Sequence, residues 1–233
     1  MREKIELLAC WKLAGDLVKT LLVRFRVGGD LRFLSHQEMM RVWARALARS
    51  GVSLHFSSGF NPHPKISLPL PRHVGVISEE DLACVQMEVA EGGALDGEDL
   101  KGALGAQMPE DLRIASIEVI DGKISPQPQG AKYEVRVLDG EHAQVGINNL
   151  NAKIATGEPL LVKRLVDVKK GITQTRDISE YIDSIALDGC ELSWKTKIKP
   201  TGTVRVEEML ELLGLKQEQL GSPVVRKEIE WKF

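Results

Sequence analysis

The stretch Gly29–Gly75, GDLRFLSHQEMMRVWARALARSGVSLHFSSGFNPHPKISLPLPRHVG, holds a helix start, a run of positive charge and a proline-rich loop in close succession. Ser35 followed three residues later by Glu38 predicts a capping box. The hydroxyl accepts from the Glu38 N–H while the carboxylate reaches back to the Ser35 N–H. Leu34 and Met39 stand at the hydrophobic-staple positions. Trp43, Ala46 and Leu47 continue an apolar stripe, and Gly51 suits a left-handed stop. Arg41, Arg45 and Arg49 recur at i, i+4, i+8 and form one ridge on the opposite side. On the plain reading that ridge is a solvated helix face; on the sharper one it faces phosphates.

The segment after the helix, Ser57-Ser58-Gly59-Phe60-Asn61-Pro62-His63-Pro64-Lys65, cannot be helical. Pro62 and Pro64 lack N–H donors, fix φ and push Asn61 and His63 into extended conformations. A histidine bracketed by prolines has little backbone freedom left to lose on binding. A connecting loop needs fewer special residues than this, which favours a functional reading over a purely structural turn.

Composition bounds the alternatives. With 233 residues, 43% hydrophobic and 27% charged, the chain reads as globular material for one large or two small domains. No apolar run approaches the ~20 residues of a membrane span, and the charged N-terminus lacks a signal core. Cys10, Cys84 and Cys190 are sparse and odd in number, which points to a reducing cytoplasm; without a CxxC there is no zinc or iron–sulfur motif. Net charge is −2, but its distribution is uneven. Leu17–Val74 carries nine Lys/Arg against two Asp/Glu, Gly75–Gly130 three against twelve, and the C-terminal part from residue 131 sixteen of each. Over a Debye length of ~8 Å a partner senses the local patch rather than the total, and such segregation is the footprint of nucleic-acid binding.

Three motifs, Phe33-Leu34-Ser35-His36, Gly59-Phe60-Asn61-Pro62-His63-Pro64-Lys65 and Thr201-Gly202-Thr203-Val204-Arg205, resemble those of the radical-SAM-linked family of bacterial proteins. Its members occur alone or fused to cobalamin-binding-type radical SAM proteins. The likeness spans about Leu17 to Leu215, with Val206 standing where the family pattern has proline. It implies no established activity. Because this chain lacks cluster-ligating cysteines, it implies a separately encoded radical SAM protein as partner.

Periodicity predicts an α+β protein of tandem ferredoxin-like (βαββαβ) domains. Residues 1–16 are an N-terminal extension with a short helix within 1–14. In domain 17–121, strands are expected at Thr20–Val27, Val52–Phe56 (resumed at Ile66–Leu70), Leu82–Ala90 and Leu112–Ile120. Its helices follow Ser35 and run over Asp96–Leu104. Residues 122–130 are a linker. In domain 131–233 the expected elements are strand Tyr133–Val137, helix Glu141–Ile154, strand Leu160–Leu165, and a Ser179–Leu187/Glu191–Ile198 hairpin around Asp188-Gly189. A helix Arg205–Leu213 capped by Thr203 and a strand Val224–Lys232 complete it. Gly146 and Asn148-Asn149 weaken the first of these helices.

The expected RNA- or anion-binding residues are Arg24, Arg26, Arg32, Ser35, His36, Arg41, Arg45, Phe60, Asn61, His63 and Lys65. Lys199 and Arg205 form with Lys197 a second cluster around Gly202. Phe60 is either a base-stacking platform or a buried anchor. His36 and His63 are the candidate acid/base residues, but no carboxylate or nucleophile accompanies them at a diagnostic spacing. Without an i, i+4 histidine pair, His36, His63 and His73 do not read as metal ligands, and no GxxxxGKS or GxGxxG suggests a nucleotide cofactor. No cofactor is expected. His55 reads as structural and His142 as surface. The start of the helix and the proline-stiffened tip are expected to converge on one electropositive hollow. Three functions follow: an accessory module presenting tRNA or rRNA to a separate enzyme, a metal-independent RNA-processing enzyme, or a protein-interaction subunit without nucleic acid.

Overall fold

The computed structural model of the chain describes residues 17–89, 96–167 and 170–233, which fall into two compact units. The helix expected within residues 1–14 lies outside them. Among the described residues, one unit comprises those from Leu17 to Arg72, those within Glu80–Pro126, and Phe233; the other comprises His73–Glu79 and those within Gln127–Lys232.

In the first unit, β1 (Leu17–Val27) is followed by α1 (His36–Ser50), the short β2 (Ile66–Ser67), β3 (Ile77–Val89, whose residues 77–79 belong to the second unit), α2 (Gly97–Gly105) and β4 (Leu112–Asp121). β1 lies between β4 and β3, antiparallel to β4, while β2 runs antiparallel against β3. Alternation along β1 buries Leu21, Val23, Phe25 and Val27, as a two-residue period requires. The stripe of α1 meets them with Met39, Trp43, Ala46 and Leu47. Trp43 is fully buried, edge-on to Phe25 with ring centroids 4.8 Å apart. Burying such side chains stabilises the unit by ~1.5–3 kcal/mol each, and an edge-on aromatic pair adds ~0.5–1.5 kcal/mol.

The strand expected at Val52–Phe56 and resumed at Ile66–Leu70 is reduced to β2 and two isolated bridges, Leu54 with Met87 and Phe56 with Pro64. Pro62, Pro64, Pro69 and Pro71 have no N–H to give a ladder, so regular pairing cannot extend through them.

The second unit runs β5 (Gln127–Arg136), α3 (Gly140–Thr156), β6 (Leu161–Asp167), β7 (Ile172–Asp177), β8 (Ile182–Asp188), β9 (Glu191–Lys197), α4 (Val206–Leu212) and β10 (Val225–Lys232). Its sheet is antiparallel in the order β10-β5-β9-β8, and the first residues of β3 pair in parallel with β10. Residues 127–130, read in sequence as linker, are strand. The single strand expected at Leu160–Leu165 is one arm of a hairpin with β7 in a sheet of its own. β7 is exposed at all six positions, so it carries no inward-facing stripe by which sequence could reveal it. The core of this unit includes Trp194 stacked on Tyr133 at 5.4 Å.

α3 continues through Gly146 and the asparagine pair. Asn148 accepts from Gln144 at 3.0 Å one turn away, and Gly146 has a packing reason. A Cβ there would lie 2.1 Å from the backbone oxygen of Leu213, which no rotamer change relieves. G146A is therefore expected to destabilise the protein by about 1–3 kcal/mol through overpacking, although alanine is the better helix former by ~1 kcal/mol. A lower urea midpoint relative to wild type checks this; an unchanged or raised midpoint refutes it.

Candidate nucleic-acid interface

The head of α1 is built as its sequence requires. Glu38 N–H donates to Ser35 Oγ at 3.4 Å, and the Glu38 carboxylate accepts from the Ser35 N–H at 2.9 Å and its hydroxyl at 2.6 Å. Those hydroxyl and N–H bonds, with Arg41 adding to them, hold the Glu38 carboxyl below its ordinary range. Gly51 ends the helix at φ 76°. Ahead of the cap, Arg72 clamps the preceding turn by donating to Arg32 O at 2.7 Å and Leu31 O at 3.0 Å. Arg32 itself donates to Gly29 O at 2.6 Å and lies 4.3 Å above the Phe33 ring. A cleft of about 20 Å³, room for one water, opens here beside Ser35, His36, Leu70, Arg72 and Asp81.

The proline loop forms a narrow hairpin. Ser57 N–H donates to His63 O, His63 N–H to Ser57 Oγ, and Lys65 N–H to His55 O, all at 2.9–3.0 Å. At its tip Phe60, Asn61, Pro62 and His63 are exposed, and Phe60 is wholly so at 105%. Of its two sequence readings, the buried anchor is therefore excluded.

Lys65 does not join His36. Its Nζ sits 3.0 Å from His55 Nε2, whose Nδ1 sits 2.7 Å from Glu88 Oε1. An ammonium can only donate, so Nε2 is the acceptor and Nδ1 carries the proton toward Glu88. The chain Glu88–His55–Lys65 braces the hairpin against β3. His55 is structural, as its sequence context suggests, but nothing local marks Glu88 as its partner; only strand pairing brings Glu88 beside it. The expected convergence of His36, His63 and Lys65 is thus replaced by three separate places. His36 lines the helix-head cleft, Lys65 turns into the brace, and His63 stands out on the tip.

The basic surface is also smaller than the sequence count. Arg24 is half-buried and paired with Glu80 of β3; Lys19 pairs with Asp121 at 3.1 Å. Arg26, Arg41, Arg45 and Arg49 remain exposed, with Arg49 donating to Gln107 O at 2.8 Å. In the second unit, Lys197 pairs with Asp183 at 3.1 Å and Lys199 with Glu180 at 2.6 Å, while Arg205 is exposed. Cys84 is buried, which pushes its thiol up to about 11 and leaves it a poor nucleophile.

The Thr201–Arg205 loop is held by residues that sequence reading did not select. Arg164 on β6 makes a two-pronged ion pair with Glu208, at 2.7 and 2.8 Å, with side chains only 11% and 7% exposed, and donates to Thr203 O. Arg176 donates to Thr201 O at 3.2 Å, and Tyr181 shares a 3.0 Å hydroxyl bond with Thr201. The α4 cap is Arg205, whose N–H meets the Glu208 carboxylate at 2.8 Å. Thr203, expected to cap it, gives its hydroxyl to Lys197 O instead. Burial alone raises the Glu208 carboxyl, but Arg164 and the Arg205 N–H outweigh it and hold it low; the same bond raises Arg164.

Residues 20–214 match the family model described as an uncharacterized protein conserved in bacteria, DUF2344. No curated protein matches. A crystal structure of an unknown protein from Galdieria sulphuraria is similar at 11% identity, covering 84% of this chain and 88% of that one, with a TM-score of 0.25.

Two outcomes follow. H55A removes both side-chain bonds of the brace and should speed amide exchange of Ser57, His63 and Lys65 about tenfold, the scale of one charge-assisted hydrogen bond; unchanged protection would show that the brace carries no weight. Glu208 has a folded value below its unfolded one, so its stabilisation is present above the ordinary glutamate range and lost as pH falls through the folded value. E208Q should lower stability at neutral pH by about 3 kcal/mol and flatten the acid limb of denaturant midpoint against pH.

Proposed function

We propose that this chain, which belongs to the uncharacterized protein family conserved in bacteria, DUF2344, is a cytoplasmic RNA-binding accessory module that presents tRNA or rRNA to a separately encoded radical SAM enzyme. The observation that carries this reading is the full exposure of Phe60 at the tip of a hairpin stiffened by two prolines. A single exposed aromatic is common on protein surfaces. Phe60 differs in its mounting. Asn61 and His63 are exposed beside it, and the Glu88–His55–Lys65 brace holds the stem. An aromatic face on a pre-organised support is how unpaired bases are stacked, with little entropy lost on contact. Exposed Arg26, Arg41 and Arg45 supply sequence-independent attraction for phosphates.

The strand orders support a tandem ferredoxin-like architecture. Counted within each unit, and leaving aside the β6–β7 hairpin, both follow fourth-first-third-second. The radical SAM partner rests on the motif resemblance together with the absence of a cysteine motif in this sequence.

A second reading, metal-independent RNA cleavage, draws on Glu88–His55–Lys65, a carboxylate-oriented imidazole beside an ammonium. It moves the acid/base role from His36 and His63 to His55.

Filter binding of purified protein to total tRNA and rRNA at roughly 50 and 200 mM salt tests the proposal. Binding should fall steeply with salt. F60A should weaken it about tenfold, the scale of one lost base stack, and the R41E/R45E pair should weaken it further. Indifference of binding to both variants would sink the RNA reading, and copurification of a protein that survives nuclease would favour a protein-interaction subunit. Shortened RNA products that disappear in H55A while binding persists would favour the second reading.

A further inference from the structure

The Thr201–Arg205 loop has a feature that RNA contacts of the first unit do not explain. Gly202 stands at φ +141°, a conformation closed to side chains. The three heavy atoms nearest to where its Cβ would project are all hydrogen-bond donors: Arg164 Nη1 at 3.6 Å, Arg176 Nη1 at 3.9 Å and Tyr181 Oη at 3.9 Å. The missing side chain leaves a small opening ringed by two guanidinium edges and a phenol.

The two guanidinium groups have capacity to spare. Glu208 occupies the Nε and Nη2 side of Arg164, and Thr203 O takes a further bond from Nη2. That fixes the guanidinium plane while directing Nη1 toward Gly202, with both of its hydrogens to offer. Arg176 Nη1 gives one hydrogen to Thr201 O at 3.2 Å and retains a second. Tyr181 gives its hydroxyl to Thr201 Oγ1 at 3.0 Å and, after Lys199, also helps hold the Glu180 carboxyl below its ordinary range, so the phenol donates to a ligand only by exchanging these partners. A carboxylate-locked arginine costs little further ordering when its other edge is engaged, which is the condition for strong charge-assisted bonds.

The surrounding charge is compatible with one anion. Glu208 balances Arg164, and Glu180 balances Lys199, whose ammonium lies 5.8 Å from the Tyr181 ring centre. Arg176 is left to supply the excess positive charge, held by Gln174 and Thr201 without a carboxylate. Glu207, next to Glu208 on α4, lies 3.7 Å from His73 Nδ1, and the exposed Arg205 adds a positive charge two residues before it.

We propose that Arg164, Arg176 and Tyr181 form an oxyanion-binding site over Gly202, specific for a phosphoryl group, either free or within a nucleic-acid backbone. The site is built entirely within the second unit and does not depend on the RNA reading of the first. It gives the Thr201–Arg205 motif a task. Gly202 clears the space, the Thr201 and Thr203 carbonyls orient the two guanidinium groups, and Glu208 fixes the deeper one.

The test follows the Gly202 amide resonance of the full chain during titration with inorganic phosphate in one arm and an oligouridylate in the other. R176Q and Y181F serve as variants, since both alter donors without breaking the buried Arg164–Glu208 pair. In wild type a saturable shift is expected, and each variant should weaken it about tenfold or more. A shift with phosphate and oligouridylate alike assigns the site to the phosphoryl group itself; a shift with oligouridylate alone assigns it to a polynucleotide backbone. No saturable Gly202 shift in either arm, or equal shifts in wild type and both variants, overturns the proposal. F60A run alongside keeps the two readings apart, because it should leave the phosphate arm unchanged whether or not RNA binding through the hairpin holds.

Discussion

Gln86 of β3 offers its N–H to Lys65 O and its carbonyl to His55 N–H, each at 2.9 Å, and the candidate interface stands on these two bonds. One strand residue thereby grips both legs of the proline hairpin. The legs cannot form an ordinary ladder, since the prolines remove the donors a ladder needs. Side chains add what the backbone lacks. His55 spans from Glu88 to Lys65, which ties one leg to the other and both to the sheet. The result is a stem fixed at its base and an exposed tip whose conformational freedom is already restricted, so that contact made by Phe60 forfeits little entropy.

The same strand that steadies the hairpin tempers its charge. β3 belongs to the acidic part of the chain, and it places Glu80 against Arg24 and Glu88 against His55. Partly exposed pairs of this kind contribute little to stability, about 0–1 kcal/mol, but they change what an approaching polyanion meets. Of the expected arginine contacts of the first unit, Arg26 and those of the α1 ridge stay exposed. In the proposed RNA-binding reading, selectivity then falls more on the aromatic tip and less on bulk electrostatic attraction than a count of lysines and arginines suggests.

In the second unit the governing contact is the ion pair of Arg164 with Glu208. Removing two charges from water is costly, and a buried pair is seldom the most stable solution available. Its value lies in specifying one arrangement. It pins the β6–β7 hairpin, which has exposed Leu161, Leu165, Val166 and Ile172 and its own two-stranded sheet, to the loop that starts α4. A two-stranded ribbon is marginal alone, so this attachment by Arg164 and Arg176 keeps its geometry defined.

Local sequence determined the elements whose cause is local. Ser35 and Glu38 lie three residues apart, the apolar stripe of α1 recurs at helical spacing, and the end of β1 alternates from Val23 to Val27, so each could be read where it stood. The prolines likewise announced a loop, though not that they would dissolve the strands on either side of it. Tertiary structure decided whatever depends on partners distant along the chain. Glu88 and His55, Arg164 and Glu208, and Gly146 and the Leu213 carbonyl are separated by 33, 44 and 67 residues, and no periodicity encodes such meetings. Whether Lys65 would serve a ligand or a histidine, and whether Phe60 would be buried or bare, was likewise settled by which strand lay next to the loop. The physical reason is that hydrogen bonding and hydrophobic spacing act over a few residues, whereas charge pairing and close packing act through space.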